Sequence, residues 1–137
     1  MTATVLVDAE NVRRSQWPNI PPQTLVELAC AWAAASGHRA VVAFDGSAPG
    51  GLVGERALGD HCTLAGTGAE SADDWIVRAA ERFRAEGQPF WLVTSDRLLR
   101  ARAAPGAERT IGGGTFARML RVQSTADSIR RTTTNGP

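Results

Sequence analysis

Short apolar runs that end in an aspartate recur along the chain. The first is TVLVD at residues 4–8, the second is RAVVAFD at 39–45, and the third is PFWLVTSD at 89–96. Apolar runs of this length are typical of strands that are buried on both faces of a parallel sheet. Two shorter candidates are HCTLAG at 61–66 and ERTI at 108–111. The pattern therefore predicts a mainly parallel sheet of about five strands.

Segments with apolar residues at helical spacing separate these strands. PPQTLVELACAWAAASG, at 21–37, has proline in its first turn and glycine at its end, as helices commonly do. ESADDWIVRAAERF, at 70–83, carries a second apolar stripe and is followed by Gly87. Two shorter helices are predicted at 95–104, with Ser95 as the N-cap, and at 114–120. Helices therefore connect most of the predicted strands.

Alternating strands and helices predict an α/β domain, because right-handed crossovers place helices on both faces of the sheet. We assign residues 1–123 of the 137 to this domain. Residues 124–137 have little apolar surface to bury, so they are predicted to be a disordered tail. Residues 46–60 contain five glycines and a proline, which predicts a mobile loop.

The composition is that of an ordinary globular protein, with 43% hydrophobic and 21% charged residues. No apolar run is long enough to span a bilayer, and the first residues lack the basic region of a signal peptide. These features predict a cytoplasmic protein. Cys30 and Cys62 are too few for a disulfide scaffold and lack metal-ligand spacing, so they are predicted to be buried small hydrophobic residues.

Five aspartates are predicted to meet at one edge of the sheet. Asp8, Asp45 and Asp96 each follow a strand. The carboxyl ends of parallel strands share an edge, and open α/β sheets bind their ligands there. Asp73 and Asp74 open a helix that should begin at the same edge.

Helix capping is the alternative explanation of these carboxylates. Ser71 is a good N-cap and Asp74 lies three residues later, as in a capping box. Capping explains one or two of the five aspartates at most. Clustered like charges destabilise one another unless cations or protons neutralise them, and oxygen ligands select hard ions. We therefore predict an Mg²⁺ or Mn²⁺ site. Successive helical residues point about 100° apart, so Asp73 and Asp74 cannot both face this site equally.

All 15 basic residues are arginine, and the formal net charge is +1. Response-regulator receivers and haloacid-dehalogenase-like phosphatases resemble the predicted plan, but they rely on a lysine near the acids. The absence of lysine argues against both classes. Several arginines are predicted to flank the aspartates and attract phosphate, although genomic base composition also explains an excess of arginine. They are Arg13, Arg14, Arg97, Arg100 and Arg102.

Five segments resemble, in order, the blocks of the YacP-like branch of the NYN domains, which are relatives of the PIN-domain ribonucleases. The resemblance covers about residues 4–121, and ESADD followed by TSDR is its most specific part. Ala9 and Glu10 depart from the pattern, since the YacP-like branch usually has glycine and an aromatic residue there. The segments are VDAENV, VAFDG, ESADDWI, LVTSDR and PGAERTIGGGTFARML.

The resemblance implies a PIN-like three-layer α/β/α fold and a metal-dependent endoribonuclease acting on single-stranded RNA. It implies metal ligands at Asp8, Asp73 and Asp96, with Asp45 and Asp74 completing the catalytic acids. Such a site can hydrolyse a phosphodiester without histidine, because bound metal lowers the pKa of water. The residues expected to contact substrate are Asn11, Thr94, Ser95 and Arg97, the last of which is equally well explained as an ordinary exposed residue.

A second function remains open at this point. A catalytically inactive RNA- or protein-binding module would keep the same fold and fail to bind metal. RNA is the expected partner in the first case, with a ribosome or another protein as a further candidate. We expect a monomer or homodimer and no membrane association.

Overall fold

The computed structural model describes residues 2–134, which contain six strands and five helices; side chains are described for residues 2–129. The elements are β1 (Thr4–Asp8), α1 (Ala9–Arg14), α2 (Pro22–Ser36), β2 (Arg39–Phe44), β3 (Gly54–Ala57), β4 (Cys62–Gly66), α3 (Ala72–Glu86), β5 (Phe90–Val93), α4 (Arg97–Ala103), β6 (Arg109–Ile111) and α5 (Gly113–Thr134).

The described strands form one sheet in the order β3-β4-β2-β1-β5-β6. β1 lies between β2 and β5 and pairs in parallel with both. The chain runs outward from β1 to β2 and then returns to add β5 on the other side, so the strand order reverses at β1. Ligands of open α/β sheets bind at such a reversal. The predicted parallel sheet is confirmed, with one antiparallel edge strand added to it.

Side chains that alternate along the strands divide the core into two layers. Val5 and Val7 of β1 point to the face that α2 and α5 cover, while Leu6 packs with residues of α3 and α4 on the other face. Apolar residues are buried on both faces, as the continuous hydrophobic runs predicted. The result is the three-layer α/β/α arrangement that the sequence implied.

The predicted mobile loop at residues 46–60 contains an antiparallel strand instead. β3 pairs with β4, and the loop before it is closed by a hydrogen bond from Ala48 N to Leu52 O of 2.9 Å. The loop packs directly against the sheet at Gly66, where a Cβ would lie 2.0 Å from Leu52 O. The glycines of the segment itself have positive φ and serve turns, whereas Gly66 of β4 permits the close packing.

Helix α5 continues through residues 124–134, where the sequence predicts a disordered tail. This part buries little, since Ile129 is 63% exposed. Its continuation follows from helix propagation, in which each residue added to an existing helix contributes a further backbone hydrogen bond. Gln123 Nε2 also donates to Asp127 Oδ1 across one turn, at 2.9 Å. Residues 135–137 lie outside the described residues.

Cys30 and Cys62 form a disulfide between α2 and β4, which corrects the prediction of two unpaired thiols. Their Cα atoms are 5.3 Å apart, a separation that suits a disulfide. The two residues are 32 positions apart in sequence, so only the packing of α2 on the sheet brings them together. Within residues 2–134, no helix is long and apolar enough to cross a bilayer.

Candidate functional site

A pocket of about 480 Å³ opens at the carboxyl edge of β1, β2 and β5. Four aspartates line it, and they come from four separate segments of the chain. The predicted convergence is therefore present in the structure for four of the five aspartates. The lining residues are Asp8, Glu10, Asn11, Arg14, Ser15, Asp45, Ser71, Ala72, Asp73, Ser95 and Asp96.

Asp8 is the buried carboxylate of the pocket. It is 7% exposed at the end of β1, and its Oδ2 accepts a hydrogen bond of 2.9 Å from Thr94 Oγ1. Burial raises the pKa of Asp8, hydrogen bonds from Thr94 and Asn11 lower it in part, and the charges of Asp73 and Asp96 raise it further. The pocket therefore opposes the charge of this carboxylate.

Asp73 lies half-buried in the first turn of α3 and accepts no hydrogen bond from another described residue. Burial is the main cause that raises the pKa of Asp73, and the negative charges of Asp96 and Asp45 add to it. No hydrogen bond or salt bridge from the described side chains holds this carboxylate, although the positive charge of Arg102 lowers its pKa in part and the start of α3 favours an acid here.

Asp74 does not line the pocket and lies on the solvent-exposed side of α3. Its Oδ1 accepts a hydrogen bond of 2.9 Å from Arg102 Nη2, and that contact holds the pKa of Asp74 below its usual value. Both side chains of this ion pair are more than half exposed. Successive residues of α3 point in different directions, so Asp73 faces the pocket and Asp74 faces the solvent.

Three of the four pocket aspartates also cap helices. Asp96 Oδ1 accepts from Leu98 N at 2.9 Å and from Leu99 N at 3.1 Å. Asp45 Oδ1 accepts from Ala72 N at 2.7 Å, and Asp8 Oδ1 lies 3.5 Å from Asn11 N. Capping therefore explains more of these carboxylates than the one or two expected from sequence, and Asp73 is the exception.

The N-caps themselves partly match the sequence prediction. Ser71 caps α3, because its Oγ accepts a hydrogen bond of 3.1 Å from Asp74 N, as predicted. The N-cap of α4 is Asp96 and not the predicted Ser95. Ser95 is engaged elsewhere, since its Oγ accepts from Gly113 N at 2.9 Å.

Thr94, Ser95 and Asn11 connect the strand ends to one another. Thr94 is fully buried, and its hydroxyl positions Asp8. Asn11 Oδ1 accepts a hydrogen bond of 2.9 Å from Ser95 N, and both residues still line the pocket. A Cβ at Gly113 would lie 2.3 Å from Asn11 Oδ1, so only glycine allows α5 to begin against this side chain.

Among the five flanking arginines predicted from sequence, Arg14 lines the pocket. Asn11 precedes Arg14 by three residues and lies on the same face of α1. Arg14 forms an ion pair with Glu10, whose Oε2 lies 3.3 Å from Arg14 Nε. Arg97 is exposed and does not line the pocket. Arg100 Nε donates to Thr94 O at 2.7 Å, so this side chain supports the strand end. Helix α1 was not predicted, so the sequence did not distinguish Arg14 from the other four arginines.

The pocket residues fit a hydrated hard cation. No group of three or more His, Cys, Asp or Glu side chains within the described residues has the arrangement of a ready-made metal site. Mg²⁺, however, usually keeps several waters and is held by only one or two carboxylates. The four aspartates provide oxygen ligands, and the charges that raise the pKa of Asp8 and Asp73 are those a cation would offset.

Comparisons with known proteins identify the fold. No protein-family model matches the chain, and no curated protein sequence matches it. The crystal structure of Rae1 (YacP) from Bacillus subtilis matches with a TM-score of 0.69 and 19% identity over 95% of this chain and 80% of that chain. A tryptophan-to-leucine mutant of the same protein matches with a TM-score of 0.69 and 18% identity over 97% and 85%. The chain therefore has a YacP-like fold.

Proposed function

We propose that this chain is a metal-dependent endoribonuclease that hydrolyses phosphodiester bonds of single-stranded RNA with Mg²⁺ or Mn²⁺. Asp73 is the observation that carries the proposal. It faces like charges in an open pocket, its pKa is raised, and no hydrogen bond from the described residues holds it. Such perturbed carboxylates cluster at functional sites, where a ligand uses the charge. The YacP-like fold and the sequence resemblance supply the reaction class.

The protein's own contribution is to hold carboxylates in fixed positions. Asp8 is fixed by Thr94, Asp45 by the start of α3 and Asp96 by the start of α4. For Asp45 and Asp96 the hydrogen bonds from the chain reach Oδ1, which leaves Oδ2 for a ligand. A bound divalent cation would lower the pKa of a water molecule and stabilise negative charge on the phosphate. Arg14 adds a positive charge at the rim, where it attracts the RNA backbone.

Water is the proposed nucleophile. No histidine lines the pocket, so the described side chains there include no imidazole to deprotonate a ribose 2′-hydroxyl. Attack by water on phosphorus with departure of the ribose 3′-oxygen leaves a 3′-hydroxyl on the upstream fragment and a 5′-phosphate on the downstream fragment. Attack by the 2′-hydroxyl would leave a 2′,3′-cyclic phosphate instead. The chemistry of the product ends therefore tests the proposed nucleophile.

The decisive experiment incubates purified protein with end-labelled single-stranded RNA, with Mn²⁺ or with EDTA. We expect internal cleavage with Mn²⁺, none with EDTA, and products that carry 5′-phosphates. Asp73→Asn should be inactive, whereas the matched variant Asp74→Asn should cleave like wild type. Metal-independent cleavage or cyclic phosphate products would contradict the mechanism. RNA binding without cleavage under all conditions would favour the non-catalytic binding module.

A further inference from the structure

Trp17 is the most exposed large hydrophobic side chain among the described residues, with 89% of its surface accessible. It lies in the segment of residues 15–21 between α1 and α2, which we call the Trp17 loop. Tryptophan side chains are highly buried on average in folded proteins. No packing contact among the described residues explains why Trp17 is so exposed.

The Trp17 loop is held in place on both sides of the tryptophan. Ile20 is buried, its N–H donates to Arg13 O at 3.1 Å, and Arg13 Nε donates back to Ile20 O at 2.8 Å. Before the tryptophan, Gln16 Oε1 accepts a hydrogen bond of 2.7 Å from Arg121 Nε. The exposed indole is therefore presented by an anchored segment, which lowers the entropy cost of binding a ligand.

The Trp17 loop continues directly from the rim of the aspartate pocket. Arg14 and Ser15 line the pocket, and Trp17 follows two residues later. A strand of nucleic acid that leaves the pocket over this rim would meet the indole next.

Positive charges lie beside the same segment. The side chain of Arg14 is 70% exposed, and Glu10 Oε2 at 3.3 Å from its Nε offsets part of its charge. Arg118 and Arg121 hydrogen-bond to the neutral side chains of Thr115 and Gln16, so these contacts do not neutralise their charges. An exposed indole next to arginines is the combination that proteins use to bind single strands, with bases on the aromatic ring and phosphates on the cations.

We propose that Trp17 is a stacking platform for a base of the single-stranded RNA whose backbone enters the aspartate pocket. This inference rests on the proposed function and assigns a substrate contact to it. Stacking on an indole depends little on base identity, because every base has an aromatic face. The platform would therefore hold the strand beside the pocket without selecting a sequence.

The test measures binding in EDTA, where the proposed reaction cannot occur. A fluorescently labelled oligouridine is compared with an oligomer of the same length and charge that lacks bases. Trp17→Ala should weaken binding of the oligouridine by about 5- to 100-fold, the range observed when a stacking aromatic is removed. The same variant should bind the abasic oligomer like wild type. Trp17→Phe should keep most of the affinity, since an aromatic face remains.

Two controls separate stacking from general damage. Ile129→Ala truncates another exposed apolar side chain and should leave both affinities unchanged. The melting temperature of Trp17→Ala should equal that of wild type, because the indole contributes little buried surface. Oligouridine should also quench tryptophan fluorescence in wild type and not in Trp17→Phe. Equal oligouridine affinity for wild type and Trp17→Ala, an equal loss on both ligands, or no binding by wild type would overturn the inference.

Cleavage assays distinguish this inference from the proposed function. If Trp17→Ala raises KM in Mn²⁺ with little change in kcat, both are supported. If wild type cleaves and Trp17→Ala cleaves with the same KM, the platform is refuted and the nuclease stands. If wild type binds oligouridine through Trp17 but never cleaves it, the platform stands and the nuclease is refuted.

Discussion

The aspartate pocket and the solvent-exposed side of α3, which we call its outer face, shift the pKa of carboxylates in opposite directions. At the outer face, Asp74 pairs with Arg102 and Glu70 with Arg78, and each arginine lowers the pKa of its partner. In the pocket, burial and neighbouring carboxylates raise the pKa of Asp73, one residue before Asp74. The fold therefore supports a negative charge in one place and opposes it in the other. The opposed charges of the pocket are those that a bound cation would offset.

The largest expected difference between the two regions is in catalysis. Asp73→Asn should reduce RNA cleavage on the order of 100-fold or more, the scale of removing a group aimed at the reacting centre. Asp74→Asn should stay within about twofold of wild type, because its carboxylate faces Arg102 in solvent. Initial rates on labelled RNA in Mn²⁺ measure both. Equal losses in the two variants would mean that the pocket and the outer face do not differ in function.

Metal affinity is the next contrast. Asp96→Asn should weaken Mn²⁺ binding by roughly 10- to 100-fold, as measured by calorimetry. Asparagine caps a helix about as well as aspartate, so the hydrogen bonds to α4 should persist and the melting temperature should change little. Asp74→Asn serves as the matched control and should bind Mn²⁺ like wild type. Unchanged affinity in Asp96→Asn would remove the metal from this pocket.

Stability without metal should depend on pH through Asp73. Its folded-state pKa is raised above the ordinary value of 3.8, so the stability it contributes is present below that pH and is lost as pH rises through the folded-state pKa. In EDTA, Asp73→Asn should therefore melt at the same temperature as wild type in acid and at the same or a higher temperature at neutral pH. Thermal scans across this range measure the difference. A clearly lower melting temperature at neutral pH would identify Asp73 as a structural residue.

Adding Mn²⁺ should reverse that order at neutral pH. A ligand that binds only the folded state stabilises it by mass action, by about 2.7 kcal/mol at 100 times the dissociation constant. Wild type should gain several degrees in melting temperature, and Asp73→Asn should gain little. Mg²⁺ should act in the same direction. An equal gain in both proteins would place the ion elsewhere.

The smallest expected effect belongs to the ion pair on the outer face. Arg102→Gln removes a contact between two largely exposed side chains, so the melting temperature should fall only slightly. The fall should disappear in 1 M salt, where screening acts over about 3 Å. RNA cleavage should be unchanged. A large loss of stability would show that this pair supports the start of α3 more strongly than its exposure indicates.

Several elements could be predicted from the sequence because local signals agreed with the packing. The bounds of β1, Thr4–Asp8, match the apolar run, and Gly37 and Gly87 end α2 and α3 as expected. β3 was missed because all four of its residues are exposed. A strand without a buried face does not show the alternation of apolar and polar residues from which strands are predicted. α1 was missed because six residues are too few to display helical periodicity.

For the site, sequence predicted which carboxylates converge better than what each one contacts. Strand ends placed Asp8, Asp45 and Asp96 together, since parallel strands share an edge. The helical pattern alone could not decide which of Asp73 and Asp74 faces the pocket, because that depends on how α3 is rotated about its axis; the family resemblance placed the metal ligand at Asp73. The pairing of Asp74 with Arg102 was not predicted. The burial of Thr94 and the contact of Asn11 with Ser95 likewise depend on tertiary packing.

The helix caps in the pocket have a consequence for the evolution of this fold. Asp8, Asp45 and Asp96 each meet the start of a helix, so a lineage that lost catalysis would still be under selection to keep a capping residue there. Asp73 has no such second role among the described residues, and at neutral pH its charge is opposed by its neighbours. Drift should therefore erase Asp73 first. Among proteins of this fold, an intact position equivalent to Asp73 should separate working enzymes from inactive descendants better than the other three aspartates.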